Sequence, residues 1–181
     1  MNNFNIKGYV EGGFIQNRRD ESVNIAALPP IVRTLLITDG TVTKTLEAYF
    51  WEPIRIEQVK QDLMPLDQDI ADMNLIAGSS VLLRKVNISG VHSGATYAHA
   101  ISILNIEHLP QAIRDALISG TIGIGELLRA KGLETYRQIT DIYYDNDNRE
   151  LICRTYLIYI NHQPAIQVTE KFPYPLYQQK L

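Results

Sequence analysis

Three strand-like segments, at about 134–144, 150–160 and 165–172, close this chain, and tight turns join them. Asp145-Asn146-Asp147-Asn148 and Asn161-His162-Gln163-Pro164 supply residues that reverse a chain within a few positions. Strands connected so briefly run antiparallel, because a parallel neighbour needs a long crossover. A second strand pair, 78–90 and 95–105, flanks Ser89-Gly90-Val91-His92-Ser93-Gly94, whose glycines suit a hairpin loop. Between the two groups lie two short helical patterns, 109–118 ending at Ser119-Gly120 and 124–131 ending at Gly132. The expectation is an α+β fold, a single antiparallel β-sheet with short helices packed on one side.

Upstream, residues 1–24 are polar and weakly patterned and read as an irregular arm. Residues 25–181 read as a single domain, of a size that supports a real core. Pro29-Pro30 introduce a helical run at 31–39 that Gly40 stops. From Thr43 the pattern reads as strands at 44–51 and 54–62, with Glu52-Pro53 at the turn. A polar stretch with Pro65 and acidic residues at 66–72 leads to the next hairpin.

Two charges interrupt this apolar patterning. In the last strand the alternate positions Ile166, Val168, Glu170 and Phe172 form the apolar face, so a carboxylate occupies a core position. Arg84 does the same among Leu82, Val86 and Ile88. A buried charge is costly unless it is paired, neutralised or used. One reading is a structural ion pair inside the core; another is a strand register one residue off, which turns each side chain outward. The third is a polar ligand site. A guanidinium grips a carboxylate bidentately, and a carboxylate in apolar surroundings has a raised pKa suited to acid–base work.

Bulk properties remove several classes. A hydrophobic content of 45% with 20% charged residues is ordinary for a globular protein. The net charge of −3 and the lack of long Lys/Arg runs give no footprint for nucleic acid or a membrane surface. The first residues lack the pattern of a signal peptide, so a cytoplasmic protein is expected, or one of the plastid stroma if the gene resides there. A single cysteine, Cys153, excludes an internal disulfide and reads as a core residue in a strand apolar on both faces. His92, His99, His108 and His162 are scattered, so no metal site is expected. His99 in its strand reads more readily as a hydrogen-bonded sheet residue than as a ligand contact. Thr121-Ile122-Gly123-Ile124-Gly125 precedes a helix and offers backbone N–H groups, but it lacks the third glycine of a dinucleotide fingerprint. Gly40-Thr41-Val42-Thr43-Lys44 has the composition of an ordinary connecting turn that could also line a pocket.

Over most of residues 28–177 the segment order resembles the chorismate pyruvate-lyase (4-hydroxybenzoate synthase) family. Thr38-Asp39-Gly40-Thr41-Val42-Thr43-Lys44 is similar to its Asp-x-x-Thr-Lys passage, and Leu82-Leu83-Arg84-Lys85-Val86 to its Leu-Arg-Glu-Ile strand. Ile122-Gly123-Ile124-Gly125-Glu126-Leu127-Leu128 resembles its Pro-Leu-Gly-x-x-Leu helix start. Val168-Thr169-Glu170-Lys171-Phe172-Pro173 and Pro175-Leu176-Tyr177 resemble its terminal motifs. Val42 stands where the best-known branch has methionine, Ile124 where it has leucine and Gly123 where it has proline; the divergence looks most like the cyanobacterial and plastid-type branch.

The resemblance implies a cofactor-independent carbon–oxygen lyase. It would cleave chorismate to 4-hydroxybenzoate and pyruvate, supplying an aromatic precursor for ubiquinone- or plastoquinone-type biosynthesis. It implies that Arg84 binds the ring carboxylate with the N–H groups of Val42 and Ile124. Glu170 would stand near the ring hydroxyl and the breaking ether bond, as acid, base or orienting group. A monomer binding one small molecule is expected, with no nucleic-acid partner. The competing class is a stand-alone sensor of the same fold as bacterial regulator effector domains, which would bind a small carboxylate and release no product.

Overall fold

The computed structural model describes residues 12–39, 41–119 and 123–178, and a six-stranded antiparallel sheet organises them. In chain order the elements are β1 (Phe14–Gln16), β2 (Ser22–Asn24), α1 (Pro30–Ile37), α2 (Val42–Phe50), β3 (Ile54–Pro65), β4 (Ser80–Gly90) and β5 (Thr96–Leu104). They continue with α3 (Gln111–Ser119), α4 (Ile124–Ala130), β6 (Thr135–Tyr144), β7 (Leu151–Ile160) and β8 (Gln163–Pro173). The large sheet runs β3-β4-β5-β8-β7-β6, and β1 pairs with β2 alone. The expected α+β fold is therefore present, with both closing hairpins in place. At the β7–β8 turn Asn161 and His162 both have positive φ, 51° and 62°, as a two-residue turn matched to strand twist requires. At the β6–β7 turn Asp145 Oδ1 accepts from the Asp147 and Asn148 N–H groups.

Two expectations are corrected. The segment 44–51 is not a strand; residues 44–50 lie within α2 and Trp51 caps its end. Its alternating threonines imitate a strand, but Val42, Leu46, Tyr49 and Phe50 recur at helical spacing, and burial of Val42 and Leu46 against the sheet decides the outcome. Nor is the described part of the N-terminal arm irregular: β1 and β2 form a hairpin that buries Ile15 and Val23 beside α1. Strands of three residues are too short to leave a periodic signal. The helix stops assigned to Gly40 and Gly120 lie outside the described residues, whereas Gly132, with φ of +64°, does follow α4.

The helices pack against one face of the sheet in two groups. Val32, Leu35, Leu36 and Leu46 of α1 and α2 meet Ile88, Ala98, Ile152 and Phe172. Ile113, Leu117, Leu127 and Leu128 of α3 and α4 meet Leu82, Leu104, Ile158 and Ile166. The opposite face carries a smaller cluster in which Met73 and Leu75 cover Val81 and Leu157. The terminal Pro-Leu-Tyr closes the first group: Tyr177 Oη donates to the Tyr97 carbonyl at 2.5 Å, and Tyr49 Oη donates to the Tyr177 carbonyl at 3.4 Å.

Candidate active site

Strand register assembles the site between these two apolar groups. Arg84 pairs with Ser102, Ser102 with Val168, and Val168 with Tyr156, which makes one row across the helix-covered face. The next row is Val86, Ala100, Glu170 and Arg154. Arg84 and Glu170 thus share the inward face, 2% and 5% exposed, and the strand pattern read them correctly. They do not sit on adjacent strands. With β5 between them and one row of offset along the strands, their backbones lie about 12 Å apart.

The space between them is a cavity of about 700 Å³, open mouth included. It exists because the inward positions of the intervening strand β5 are Ala100 and Ser102, whose small side chains leave the floor low. Val42 and Ile124 line it with Arg84 and Glu170, so all four residues singled out from the sequence meet in one place. Val42 and Ile124 open α2 and α4, and neither preceding residue, Thr41 or Gly123, makes a side-chain capping bond. The first N–H groups of a helix have no intrahelical partners and carry the positive end of the backbone dipole. A Cβ at position 123 would come within 2.7 Å of Ile56 Cδ1, the end of a flexible side chain that would have to shift.

Glu170 has a partner other than the one the pattern offered. Arg154 Nε donates to Glu170 Oε2 at 2.7 Å, and Tyr156 Oη donates to Oε1 at 3.3 Å. The carboxylate therefore stands in a polar, charge-matched setting, not in the apolar surroundings its strand suggested. Arg154 also donates through a terminal nitrogen to the Thr38 carbonyl at 2.9 Å, and its guanidinium lies 5.0 Å over the Tyr156 ring. Arg137 donates to the Asp39 carbonyl at 2.9 Å. Two arginines of the sheet thereby hold the α1–α2 connection above the cavity. Burial lowers the pKa of Arg84, and burial together with the Glu170 charge raises that of Tyr156.

Arg154, Tyr156, Ser102 and Arg137 were missed in the sequence. For Arg154 the signal was present: it interrupts Ile152, Tyr156 and Ile158 as Arg84 interrupts its own strand. Apolar residues on both faces of β7 concealed it. Arg137 carried no such signal, because a bulge between Ile139 and Asp141 shifts the alternation of β6. His99 faces away from the cavity and is hydrogen-bonded to Asn87 Oδ1 at 2.8 Å, the sheet role expected of it. Cys153 is buried on that same outer face. Among the described residues no cluster of three or more His, Cys, Asp or Glu is arranged to hold a metal ion, and no helix is long and apolar enough to cross a membrane.

Comparison with known proteins gives the site a context. The chorismate pyruvate-lyase of Mycobacterium leprae is 28% identical over 174 residues, covering 90% of this chain and 83% of that protein. The chorismate pyruvate-lyase of Mycobacterium tuberculosis (strain H37Rv) is 25% identical over 156 residues, 78% of each chain. The effector domain of PhnF from Mycobacterium smegmatis shares the fold, with a TM-score of 0.54 at 14% identity over 75% of this chain and 90% of that one. The sequence profile of the family described as chorismate pyruvate-lyase Rv2949c-like matches residues 36–180, a span that holds Val42, Arg84, Ile124 and Glu170. On that match, and with relatives of this kind supporting a lyase role, the chain belongs to the Rv2949c-like chorismate pyruvate-lyase family.

Proposed function

We propose that this protein cleaves chorismate to 4-hydroxybenzoate and pyruvate within the cavity between Arg84 and Glu170. The observation that carries the reading is the meeting of Arg84, Val42, Ile124 and Glu170 in one cavity. In this account the ring carboxylate lies against the Arg84 guanidinium and the first N–H groups of α2 and α4, where fixed donors favour an anion. The ring spans β5 above Ala100 and Ser102. Glu170 meets the ring hydroxyl, with Arg154 and Tyr156 fixing its orientation.

The chemistry needs no external electrons and no water. The C–H bond beside the ring hydroxyl breaks, and its electron pair completes the aromatic ring. The neighbouring C–O bond breaks with its pair going to the departing enolpyruvate oxygen, and the proton ends on the methylene carbon, giving pyruvate. Aromatisation drives the step. The protein's contribution is to hold the ring in the reactive orientation, to stabilise charge on the departing oxygen and to exclude water. Glu170 is the group placed to take or relay the proton. The test is product stoichiometry: chorismate incubated with purified protein is expected to yield 4-hydroxybenzoate and pyruvate in equal amounts.

The shared fold with the PhnF effector domain favours a second reading, a sensor that binds a small carboxylate reversibly. Saturable binding of 4-hydroxybenzoate with no pyruvate above the uncatalysed rate would select it.

A further inference from the structure

The cavity is lined by two arginines, and a ligand with one carboxylate engages one of them. Arg84 occupies the buried end on β4. Arg137 is half-buried on β6, four strand spacings away, about 19 Å at the backbone. Both side chains reach inward and narrow that separation to the width of one cavity. The two carboxylates of the lining do not occupy this second position: Glu170 is matched by Arg154, and Glu126 is exposed in the first turn of α4.

Arg137 is also oriented. One terminal nitrogen donates to the Asp39 carbonyl at 2.9 Å, which fixes the guanidinium beside the α1–α2 connection. The other terminal nitrogen would lie 3.7 Å from a Cβ built on Gly125. The same Cβ would meet Thr41 Cγ2 at 3.1 Å, so glycine keeps open the space between Thr41 and Arg137. The result is a cation pinned on one side, with a clear approach from the cavity on the other.

We propose that Arg137 binds a second carboxylate of the ligand and makes the site selective for a dicarboxylate. The inference rests on the chorismate reading above and deepens it: the ring carboxylate lies at Arg84 and the enolpyruvyl carboxylate at Arg137. Cleavage then divides the two contacts, since the aromatic product keeps Arg84 and pyruvate keeps Arg137.

The test compares wild type with Arg137→Gln, which retains a donor for the Asp39 carbonyl, and with Arg137→Lys, which retains the charge. Removing one charge-assisted contact is expected to raise the KM for chorismate about ten- to hundredfold. Inhibition by pyruvate should weaken by a similar factor. Inhibition by 4-hydroxybenzoate should stay within about twofold of wild type, and Arg137→Lys should recover part of the loss. Equal weakening of chorismate and 4-hydroxybenzoate, or no change for either, would overturn the proposal. If wild type binds chorismate without cleaving it, the lyase reading fails, and the same comparison is made with chorismate dissociation constants. If wild type binds neither compound, both fail.

Discussion

Arg154 Nε lies 2.7 Å from Glu170 Oε2, in an ion pair whose two side chains are 2% and 7% exposed. Neighbouring strands β7 and β8 hold the partners directly opposite each other. Arg154 itself is not part of the cavity lining; Glu170 is. Arg154 therefore stands behind the carboxylate and fixes it, while reaching to the Thr38 carbonyl above the site.

Removing one partner of this pair leaves the other's charge buried without its counter-charge. Arg154→Met is expected to cost about 3–5 kcal/mol in stability, read from denaturant melts. The double variant Arg154→Met/Glu170→Met should recover most of that loss and remain inactive. Additive losses in the double variant would show that the pair is not energetically coupled.

The two ends of the cavity should fail differently. Arg84→Met keeps the apolar stem and is expected to raise KM with a smaller change in kcat. Glu170→Gln is expected to lower kcat by about 10²–10⁴-fold with KM less affected. A folded Glu170→Gln protein with unchanged kcat removes its proton-transfer role.

The small floor residues predict a steric block. Ala100→Leu or Ser102→Leu should project into the open space, leave the melting temperature near wild type and abolish 4-hydroxybenzoate binding in a calorimetric titration. Retained affinity in either variant would put the ligand elsewhere.

Away from the site, Glu52 should make stability acid-sensitive. Hydrogen bonds from Tyr97 and Ser93 first, then His92, hold its carboxyl at about 2, below the ordinary 4.5. A depressed carboxylate pKa stabilises the fold above the unfolded-state value, and that contribution is lost as pH falls from about 4.5 to about 2. Urea midpoints for wild type should fall through this window more steeply than those of Glu52→Gln. Parallel profiles would exclude Glu52 as a source.

Cys153 should be inert in the folded protein, because burial pushes its thiol up to about 12. A thiol-reactive chromophore at pH 8 is expected to label it after denaturation and not before.

Much of this architecture was legible because alternation and turn residues act locally. Glu170 and Arg84 stood out because a single charge on an apolar strand face is a strong departure, and both are on the inward face. What hid the rest was non-local or masked by competing patterns. The threonines of 43–45 gave α2 the look of a strand, and the bulge in β6 broke the alternation that would have marked Arg137 as inward-facing. Arg154 as the partner of Glu170 depends on which strand lies beside β8. The order β5-β8-β7 is a property of the whole sheet and not of any one segment.

The most direct test of the account is the initial rate of pyruvate release from chorismate by wild type, by Glu170→Gln and in the absence of protein. Saturable release by wild type is expected, with Glu170→Gln at least about a hundredfold slower. A wild-type rate equal to the uncatalysed one, from folded protein that binds 4-hydroxybenzoate, would contradict it.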